Sequence, residues 1–419
     1  MEREDDILAA ARADLGKPET EGFGSEIGMA LAELRLVRKH LRAWMKPKRV
    51  RTSLLALPGR SYIYREPLGV MLVIGAWNYP LLLMTMPLVG AIAAGNCAVL
   101  KPSELAPATS ALIAEWIPKY LDSKAVRVVE GGVPETTALL REKWDHILYT
   151  GSSRVGRIVM EAAATHLTPV TLALGGKRPC IVDETADLNL AAKRIVFGRF
   201  YNAGQTCLAP DYVLVHERAH DALVNRMVAA IREFYGDEPQ QSPDFARIVN
   251  ERHYDRLLRL LRSGDLVTGG QTDRTDRYIA PTILKNVAAD APAMQEEIFG
   301  PILPVIAVSG IGSAISYVNR LPKPLALYLF SRNEETHERV ISETSAGGTT
   351  INHVMLHLSV HELPFGGVGE SGMGRYRGRR SFETFSNERA VLKKPSLADP
   401  PILFPPYSAR KLRWIKRFF

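Results

Sequence analysis

Cys207 is the strongest candidate nucleophile in the sequence. It lies in residues 201–210, which read YNAGQTCLAP, after a glycine and two polar residues and three positions before Pro210. A cysteine on such an irregular segment can face a cleft, and the thiolate is the strongest nucleophile among protein side chains. A free cysteine is more often a small buried hydrophobic residue. The choice depends on whether the chain also supplies a cofactor site, an oxyanion donor and a base.

Two segments that follow predicted strands could bind a nucleotide. Residues 149–156 read YTGSSRVG and precede an apolar helix. Glycines and free N–H groups at a helix start suit a pyrophosphate, although a structural turn is about as common. Residues 100–104 read LKPSE. Lys101 and Glu104 could hydrogen-bond ribose hydroxyls at the carboxyl edge of the sheet, or they could simply face solvent.

Two further segments supply an amide and a pair of carboxylates. Residues 75–80 read GAWNYP. The amide of Asn78 could donate to a developing oxyanion, although asparagine is also common in turns. Residues 295–301 read QEEIFGP and contain Glu297. Adjacent carboxylates usually face solvent, but the apolar context that ends in Gly-Pro is compatible with a positioned role.

Three histidines recur every four residues, at His353, His357 and His361. Their segment looks extended and not helical, so we expect that the rings do not converge. Cysteine ligands are missing nearby, and the three cysteines of the chain lie far apart in sequence. We therefore predict neither a metal site nor a disulfide framework.

The composition is that of a soluble globular protein. The 419 residues are 46% hydrophobic and 23% charged, which is ordinary for such proteins, and the length predicts two or three subdomains. The net charge of +8 is mild and partly confined to the last fifty residues, so we expect no nucleic-acid partner. The acidic start has no secretory signal pattern, and we expect a cytoplasmic, reducing location.

Strands and helices alternate along most of the chain, as in a doubly wound parallel sheet. In the first half, the predicted strands are residues 70–74, 97–100, 126–129, 146–149 and 170–174. Residues 67–100 carry no charge and are long enough to span a bilayer, but glycines and prolines interrupt them. We interpret them as core. A second alternation after Gly176 predicts a second α/β lobe.

In this order the segments resemble the aldehyde dehydrogenase superfamily, more closely its class 3 and fatty aldehyde branch. The resemblance runs from residues 13–18 (ADLGKP) through 365–374 (FGGVGESGMG) to 382–385 (FETF). It implies an α/β fold with a Rossmann-type cofactor domain, an α/β catalytic domain and a small bridging or oligomerisation element. We assign these to residues 1–45 with 67–174, residues 175–367, and residues 46–66 with 368–419, respectively.

The resemblance implies a role for each candidate residue. Cys207 would be the nucleophile, and Asn78 would stabilise the oxyanion together with the backbone N–H of Cys207. The cofactor would be NAD or NADP, with Lys101 and Glu104 on the adenosine ribose. The other residues of the implied cofactor site are Gly151, Ser152 and Gly156 near the turn, Glu297 on the nicotinamide ribose, and Phe299 near the ring.

One position departs from the family. In residues 171–177, which read TLALGGK, the family has a glutamate as general base where this chain has Ala173. Losing a general base costs about 10²–10⁴ in rate. Three accounts are open: an engineered or impaired enzyme that retains its acyl group, another base such as Glu297, or acyl transfer to a thiol such as coenzyme A. We favour the first, because the neighbouring motif is intact.

The predicted reaction is oxidation of a hydrophobic aldehyde, aliphatic or aromatic, to a carboxylic acid through a thiohemiacetal and a thioester on Cys207. The alternatives are the acyl transfer and a non-enzymatic cofactor-binding scaffold. The resemblance implies a homodimer bridged by the arm at Tyr62 and by the C-terminal segment, and an N-terminal stretch shorter than the family's.

The basic C-terminal segment predicts a short amphipathic helix with Leu412, Ile415, Phe418 and Phe419 on one face. We expect it to pack on the partner subunit or over the substrate entrance. Weak peripheral contact with a membrane is the alternative, and we expect no membrane anchor after it.

Overall fold

A computed structural model describes residues 2–396, 399 and 401–417 of the chain. The strands, numbered along the chain, are β1 (Lys48–Val50), β2 (Arg60–Pro67), β3 (Val70–Ile74), β4 (Cys97–Lys101), β5 (Val126–Val128), β6 (His146–Thr150), β7 (Val170–Ala173), β8 (Pro179–Val182), β9 (Tyr212–His216), β10 (Asp265–Thr268), β11 (Thr272–Asp273), β12 (Tyr278–Ile279), β13 (Thr282–Lys285), β14 (Ile302–Val308), β15 (Ala326–Phe330), β16 (Gly348–Ile351), β17 (Gly372–Met373) and β18 (Ser386–Lys393).

The helices lie mainly between these strands. They are α1 (Glu4–Leu15), α2 (Glu19–Gly22), α3 (Met29–Trp44), α4 (Leu82–Ala93), α5 (Pro107–Tyr120), α6 (Val133–Arg141), α7 (Ser153–Ala164), α8 (Leu188–Phe200), α9 (His220–Tyr235), α10 (Glu251–Leu260), α11 (Pro292–Gln295), α12 (Ile311–Asn319), α13 (Glu334–Glu343), α14 (Arg379–Thr384) and α15 (Ala409–Ile415).

The first sheet has the strand order β17-β7-β6-β3-β4-β5, and its strands are parallel except for β17. Strand β3 reads VMLVI without polar interruption because it lies in the middle of the sheet, with both faces covered. The doubly wound sheet predicted from the alternation is confirmed, with strand ends within one or two residues of the expected ones.

The uncharged residues 67–100 form β3, α4 and β4, as predicted for a buried core. Helix α4 is apolar on most of its surface because it packs between the sheet and α3 and α14. In the part of the chain that the structure describes, each helix is too short or too polar to cross a membrane.

The second sheet has the strand order β10-β13-β14-β9-β8-β15-β16 and is parallel except for β10. The short link between β7 and β8 joins the carboxyl edge of the first sheet to the amino edge of the second. Residues 201–210 lie between α8 and β9, at that same amino edge. The turns that follow β3 and β6 therefore face the segment that carries Cys207.

A third, antiparallel sheet has the order β1-β2-β18. Strand β2 lies in the middle of this sheet. Its long pairing with β18, from Pro67 opposite Ser386 to Arg60 opposite Lys393, joins residues more than 300 positions apart. The short strand β17 pairs antiparallel with β7 and sets Gly372 opposite Ala173, about 200 positions earlier in the chain.

Two local expectations need correction or restriction. The segment that carries His353, His357 and His361 is not extended, because a 3₁₀ turn occupies Leu356–Ser359. Among the described residues, no group of three or more histidine, cysteine or acidic side chains could hold a metal ion. The C-terminal helix α15 carries Leu412 and Ile415, whereas Phe418 and Phe419 lie outside the described residues.

Candidate active site

Cys207 follows a tight turn with an unusual backbone. The 3₁₀ segment Tyr201–Gly204 contains two consecutive non-glycine residues in the left-handed region, Asn202 with φ 53° and Ala203 with φ 50°. Such conformations are rare and cluster at functional sites. The turn follows the end of α8, and the chain then runs through Cys207 to the start of β9.

Two asparagines connect this turn to the segment after β3. The side-chain amide of Asn78 donates to the carbonyl of Gln205 at 3.0 Å, and the amide of Asn202 donates to the carbonyl of Asn78 at 3.0 Å. One N–H of the Asn78 amide is thereby fixed, and an amide carries two. Asn78 and Cys207 line the same cleft, so the second N–H is a candidate donor to a ligand bound there.

The thiol of Cys207 is partly buried beside two charged groups. Burial raises the pKa of Cys207 to about 11, Arg178 opposes that rise, and Glu297 adds to it. At neutral pH most of the thiol is therefore protonated, and its reactivity increases with pH.

Two cavities meet at Cys207. An apolar cavity of about 370 Å³ extends from it between α3, α4 and the segment around residues 354–361. A more polar cleft of about 350 Å³ opens on the other side, at the carboxyl edge of the first sheet. Three residues line both: Thr150, Ala173 and Cys207.

Ala173 ends strand β7 at this junction. Its register partners are Thr150 on β6 and Gly372 on β17, and the residue is only 4% exposed. Among the described residues that line the apolar cavity, none is an aspartate or a glutamate. The junction thus has no carboxylate at the position where the family resemblance implies one.

Glu297 lies at the cleft, but its carboxylate is engaged. Arg178, which is completely buried, forms an ion pair with one carboxylate oxygen, and the N–H of Gly176 donates to the other at 3.2 Å. Arg178 also pairs with the buried Asp211. To take a proton from water at Cys207, the carboxylate would have to leave these donors.

The turn at Gly151 and Ser152 opens the cleft on the side of the first sheet. Ser152 is the N-cap of α7, and its hydroxyl accepts from the N–H of Val155 at 3.4 Å. Gly156 lies inside the first turns of α7, against Leu174, and not on the cleft. The amino end of α7 therefore points its free N–H groups toward any anion in the cleft.

An aromatic group closes the rim of the cleft. Phe299, with φ 47°, packs edge-on against Trp77 at 5.3 Å between ring centroids, and Trp77 also contacts His253 at 5.1 Å. Trp77 belongs to the GAWNYP segment that was examined for Asn78. His253, on α10, is brought in by tertiary packing and has no signal in the sequence.

Lys101 and Glu104 lie one strand away, outside the lining of the cleft. The buried ammonium of Lys101 donates to the carbonyl of Pro102 at 2.8 Å and is 3.9 Å from the Glu104 carboxylate. Burial lowers the pKa of Lys101, and Glu104, Glu135 and Glu130 oppose that change. These carboxylates thus favour the charged form of Lys101.

The cleft has the features that a dinucleotide requires. The amino end of α7 can bind a pyrophosphate. A side chain at Gly175, which lines the cleft, would overlap the Glu297 carboxylate, so glycine at this position lets that carboxylate lie against the backbone. Arg178 fixes the Glu297 carboxylate at this side of the cleft, and its role was not predicted from the sequence. Its position directly before the buried strand β8 was the signal that could have identified it.

Comparisons with known proteins agree with this arrangement. The family model described as "Aldehyde dehydrogenase family" matches residues 1–391. Aldehyde dehydrogenase family 3 member A2 from Rattus norvegicus is 49% identical over 420 residues, which cover 100% of this chain and 87% of that protein. The 4,4'-diaponeurosporen-aldehyde dehydrogenase of Staphylococcus aureus is 49% identical over 418 residues, with coverage of 99% and 91%.

A dimeric, NADP-preferring aldehyde dehydrogenase from Canis lupus familiaris is 47% identical over 414 residues, with coverage of 98% and 91%. The solved structure of Staphylococcus aureus AldH in a substrate-bound state superposes with a TM-score of 0.97 at 48% identity and covers 100% of this chain and 92% of that one. The chain belongs to the aldehyde dehydrogenase family, whose members use NAD or NADP, and is an aldehyde dehydrogenase.

Proposed function

We propose that this enzyme oxidises hydrophobic aldehydes through an acyl intermediate on Cys207 and releases the acid slowly. The observation that carries the proposal is the junction at Cys207 and Ala173, where an apolar cavity meets a polar cleft. The first suits the chain of an aldehyde, the second suits a dinucleotide, and the residue between them cannot take a proton.

The apolar cavity supports a medium- or long-chain aliphatic or an aromatic substrate. Its walls are mostly side chains without polar atoms, including Met29, Leu82, Leu83, Met86 and Phe197. Each methylene group that leaves water for such a wall contributes about 0.8 kcal/mol. The aldehyde end is then directed to Cys207 at the inner end of the cavity.

The chemistry begins with the thiol of Cys207. As the proton of the thiol passes to solvent, the sulfur bonds to the aldehyde carbon, and the carbonyl oxygen becomes an oxyanion. The amide of Asn78 and the backbone N–H of Cys207 are the donors proposed for that charge. Loss of one such donor typically costs about 10²–10³ in rate.

The residues proposed to hold the cofactor are Gly151 and Ser152 with the amino end of α7, Glu297 and Phe299 in the cleft, and Lys101 with Glu104 at the adenosine ribose. When bound, NAD or NADP supplies the acceptor for the hydride that leaves the adduct. Cys207 then carries a thioester.

Hydrolysis of the thioester is the step we propose to be impaired. Water must lose a proton as it attacks, and Ala173 offers no acceptor. The loss of a general base corresponds to about 3–5 kcal/mol of barrier. Glu297 is a poor substitute, because Arg178 and the N–H of Gly176 hold its carboxylate.

Because these contacts keep Glu297 from acting as a base, they favour a second candidate function, which is acyl transfer to a thiol such as coenzyme A. A thiolate attacks a thioester without a protein base, and its own ionisation replaces the missing proton acceptor. Turnover that depends on added coenzyme A would distinguish transfer from slow hydrolysis.

We also propose a homodimer in which β2 and β18 take part, since β18 is an edge strand of their sheet and the canine relative is named dimeric. We further propose that the enzyme is soluble and cytoplasmic and makes weak peripheral contact with membranes through α15. The exposed side chains of Leu412 and Trp414 on that helix support the membrane contact. Light scattering and vesicle flotation measure these two properties.

Rapid mixing tests the proposed function. On mixing the enzyme with NAD and a medium-chain aldehyde, we expect about one NADH per Cys207 in a fast phase, followed by a much slower steady rate. The variant Cys207→Ala should give neither phase. No NADH with any member of a broad aldehyde panel, with either NAD or NADP, would contradict the proposal.

A further inference from the structure

The turn before Cys207 must be stabilised by contacts with residues outside the turn. Asn202 and Ala203 are both in the left-handed region, where residues with a side chain are disfavoured. Two such residues in succession persist only where the surrounding structure fixes them. The contacts of this turn therefore determine where Cys207 points.

One of those contacts comes from the N-terminal part of the chain. The backbone N–H of Asn202 donates to a carboxylate oxygen of Glu21, on α2, at 2.9 Å. The hydroxyl of Tyr201 donates to the backbone carbonyl of Glu21 at 3.3 Å. Both bonds join residues about 180 positions apart in sequence. They fasten the start of the turn to α2.

The same turn fixes the proposed oxyanion donor. Asn202 donates through its side chain to the carbonyls of Asn78 and Gln205, and Asn78 donates to that same Gln205 carbonyl. A shift of Asn202 would move Asn78 and the residues just before Cys207 together. Glu21 lies at the outer end of this series of hydrogen bonds.

We propose that Glu21 is a positioning residue whose carboxylate holds the Asn202 turn and thereby orients Cys207 and Asn78 for attack. This inference rests on the proposed role of Cys207 as nucleophile. A charge-assisted hydrogen bond to a backbone N–H is roughly twice as strong as a neutral one, so protonated Glu21 would hold the turn less firmly.

The surroundings of Glu21 put its protonation in the neutral range. Burial raises the pKa of Glu21 to about 7, while the N–H of Asn202 and the charge of Lys17 oppose the rise and Asp244 adds to it. Lys17 itself is bound to Glu26 at 2.6 Å. The other titratable groups that face Glu21 are Tyr79, Tyr201 and Tyr235, whose pKa values burial raises, so they stay neutral there.

Two ionisations should then control the reactivity of Cys207. The thiolate fraction rises tenfold per pH unit up to the thiol pKa of about 11. The carboxylate fraction of Glu21 rises in the same way up to about pH 7. A plot of the logarithm of the rate against pH should therefore have a slope above one just below pH 7, where the Glu21 carboxylate is forming, and a slope near one above it.

Alkylation of Cys207 by iodoacetamide, followed by peptide mass mapping, measures this profile without aldehyde or cofactor. Wild-type protein should show the change of slope. Glu21→Gln, which keeps an acceptor oxygen but no titratable group, should give a slope near one throughout. Glu21→Ala should react about 10–10² times more slowly at mildly alkaline pH, as expected for a displaced reacting group. Glu19→Gln, an exposed neighbour on α2, should match the wild type.

The inference is overturned if Glu21→Gln retains the change of slope, if the wild type has none, or if Glu21→Ala reacts at the wild-type rate. A merely structural role would lower the rate by the same factor at every pH. Thermal unfolding shows whether Glu21→Ala is folded. If it is not, the pH profile of Glu21→Gln alone tests the inference. The NADH burst, measured in parallel, separates this result from a failure of the proposed function.

Discussion

Ala173 and Cys207 border the same two cavities, so the residue that cannot accept a proton lies beside the thiol that would carry the acyl group. The two cavities, the Asn78 amide and the amino end of α7 are the features that we propose to serve attack and hydride transfer. The side chain of Ala173 cannot take a proton from the water that would hydrolyse the acyl intermediate. The proposed enzyme is therefore fast in acylation and slow in release.

Restoring a carboxylate at the junction should restore release. We predict that Ala173→Glu raises the steady-state rate of NADH formation by about 10²–10⁴, because a general base contributes that factor. The rate of the fast phase should change little. Steady-state and stopped-flow absorbance of NADH measure the two phases on the same sample.

The matched control for this variant is Ala173→Gln, which adds similar volume without a base. It should leave the slow phase slow. An equal gain in both variants would mean that filling the junction, and not proton transfer, limits turnover.

Removing the proposed oxyanion donor should slow attack. We predict that Asn78→Ala lowers the rate of the fast phase by about 10²–10³, with a larger effect on that phase than on aldehyde binding. Asn319→Ala, at an exposed position on the second lobe, is the control. A fast phase of unchanged rate in Asn78→Ala would remove this residue from the mechanism.

The length of the aldehyde should determine the specificity. At low aldehyde concentration, each added methylene group should raise the rate of the fast phase about fourfold until the apolar cavity is filled, since its burial contributes about 0.8 kcal/mol. A homologous series of straight-chain aldehydes measures this dependence. Rates that do not vary with chain length would show that the chain does not enter the cavity.

The carboxylate next to Lys101 should favour NAD over NADP. Glu104 lies 3.9 Å from the ammonium that we propose binds the adenosine ribose, and its charge would repel a 2′-phosphate there. We predict that Glu104→Gln, by removing one negative charge, raises kcat/KM for NADP relative to NAD about tenfold. Glu161→Gln, an exposed charge on α7, should leave the ratio unchanged. A ratio unaffected by Glu104→Gln would place the 2′-hydroxyl elsewhere.

Local patterns predicted the elements that position the site. Asn78 and Gly151 lie in turns that follow buried strands, and Lys101 ends a third strand. Because the carboxyl ends of parallel strands lie at one edge of a sheet, the alternating pattern alone predicted that these residues are neighbours. The segment around Cys207 was recognisable because its glycine and polar residues interrupt a helical pattern.

The contacts that could not be predicted are those between distant parts of the chain. Arg178 reaches Glu297 and Asp211, and Glu21 reaches Asn202, through packing that no local pattern records. The same is true of the pKa of Cys207, which depends on burial by residues from several elements. The shape of the apolar cavity arises in the same way.

Intact-mass analysis of the protein after incubation with NAD and a medium-chain aldehyde tests the central claim most directly. The account predicts a long-lived species heavier by the aldehyde minus two hydrogen atoms, located at Cys207 by peptide mapping, absent without NAD, and short-lived in Ala173→Glu. Unmodified protein at every time point, while NADH accumulates steadily, would contradict it.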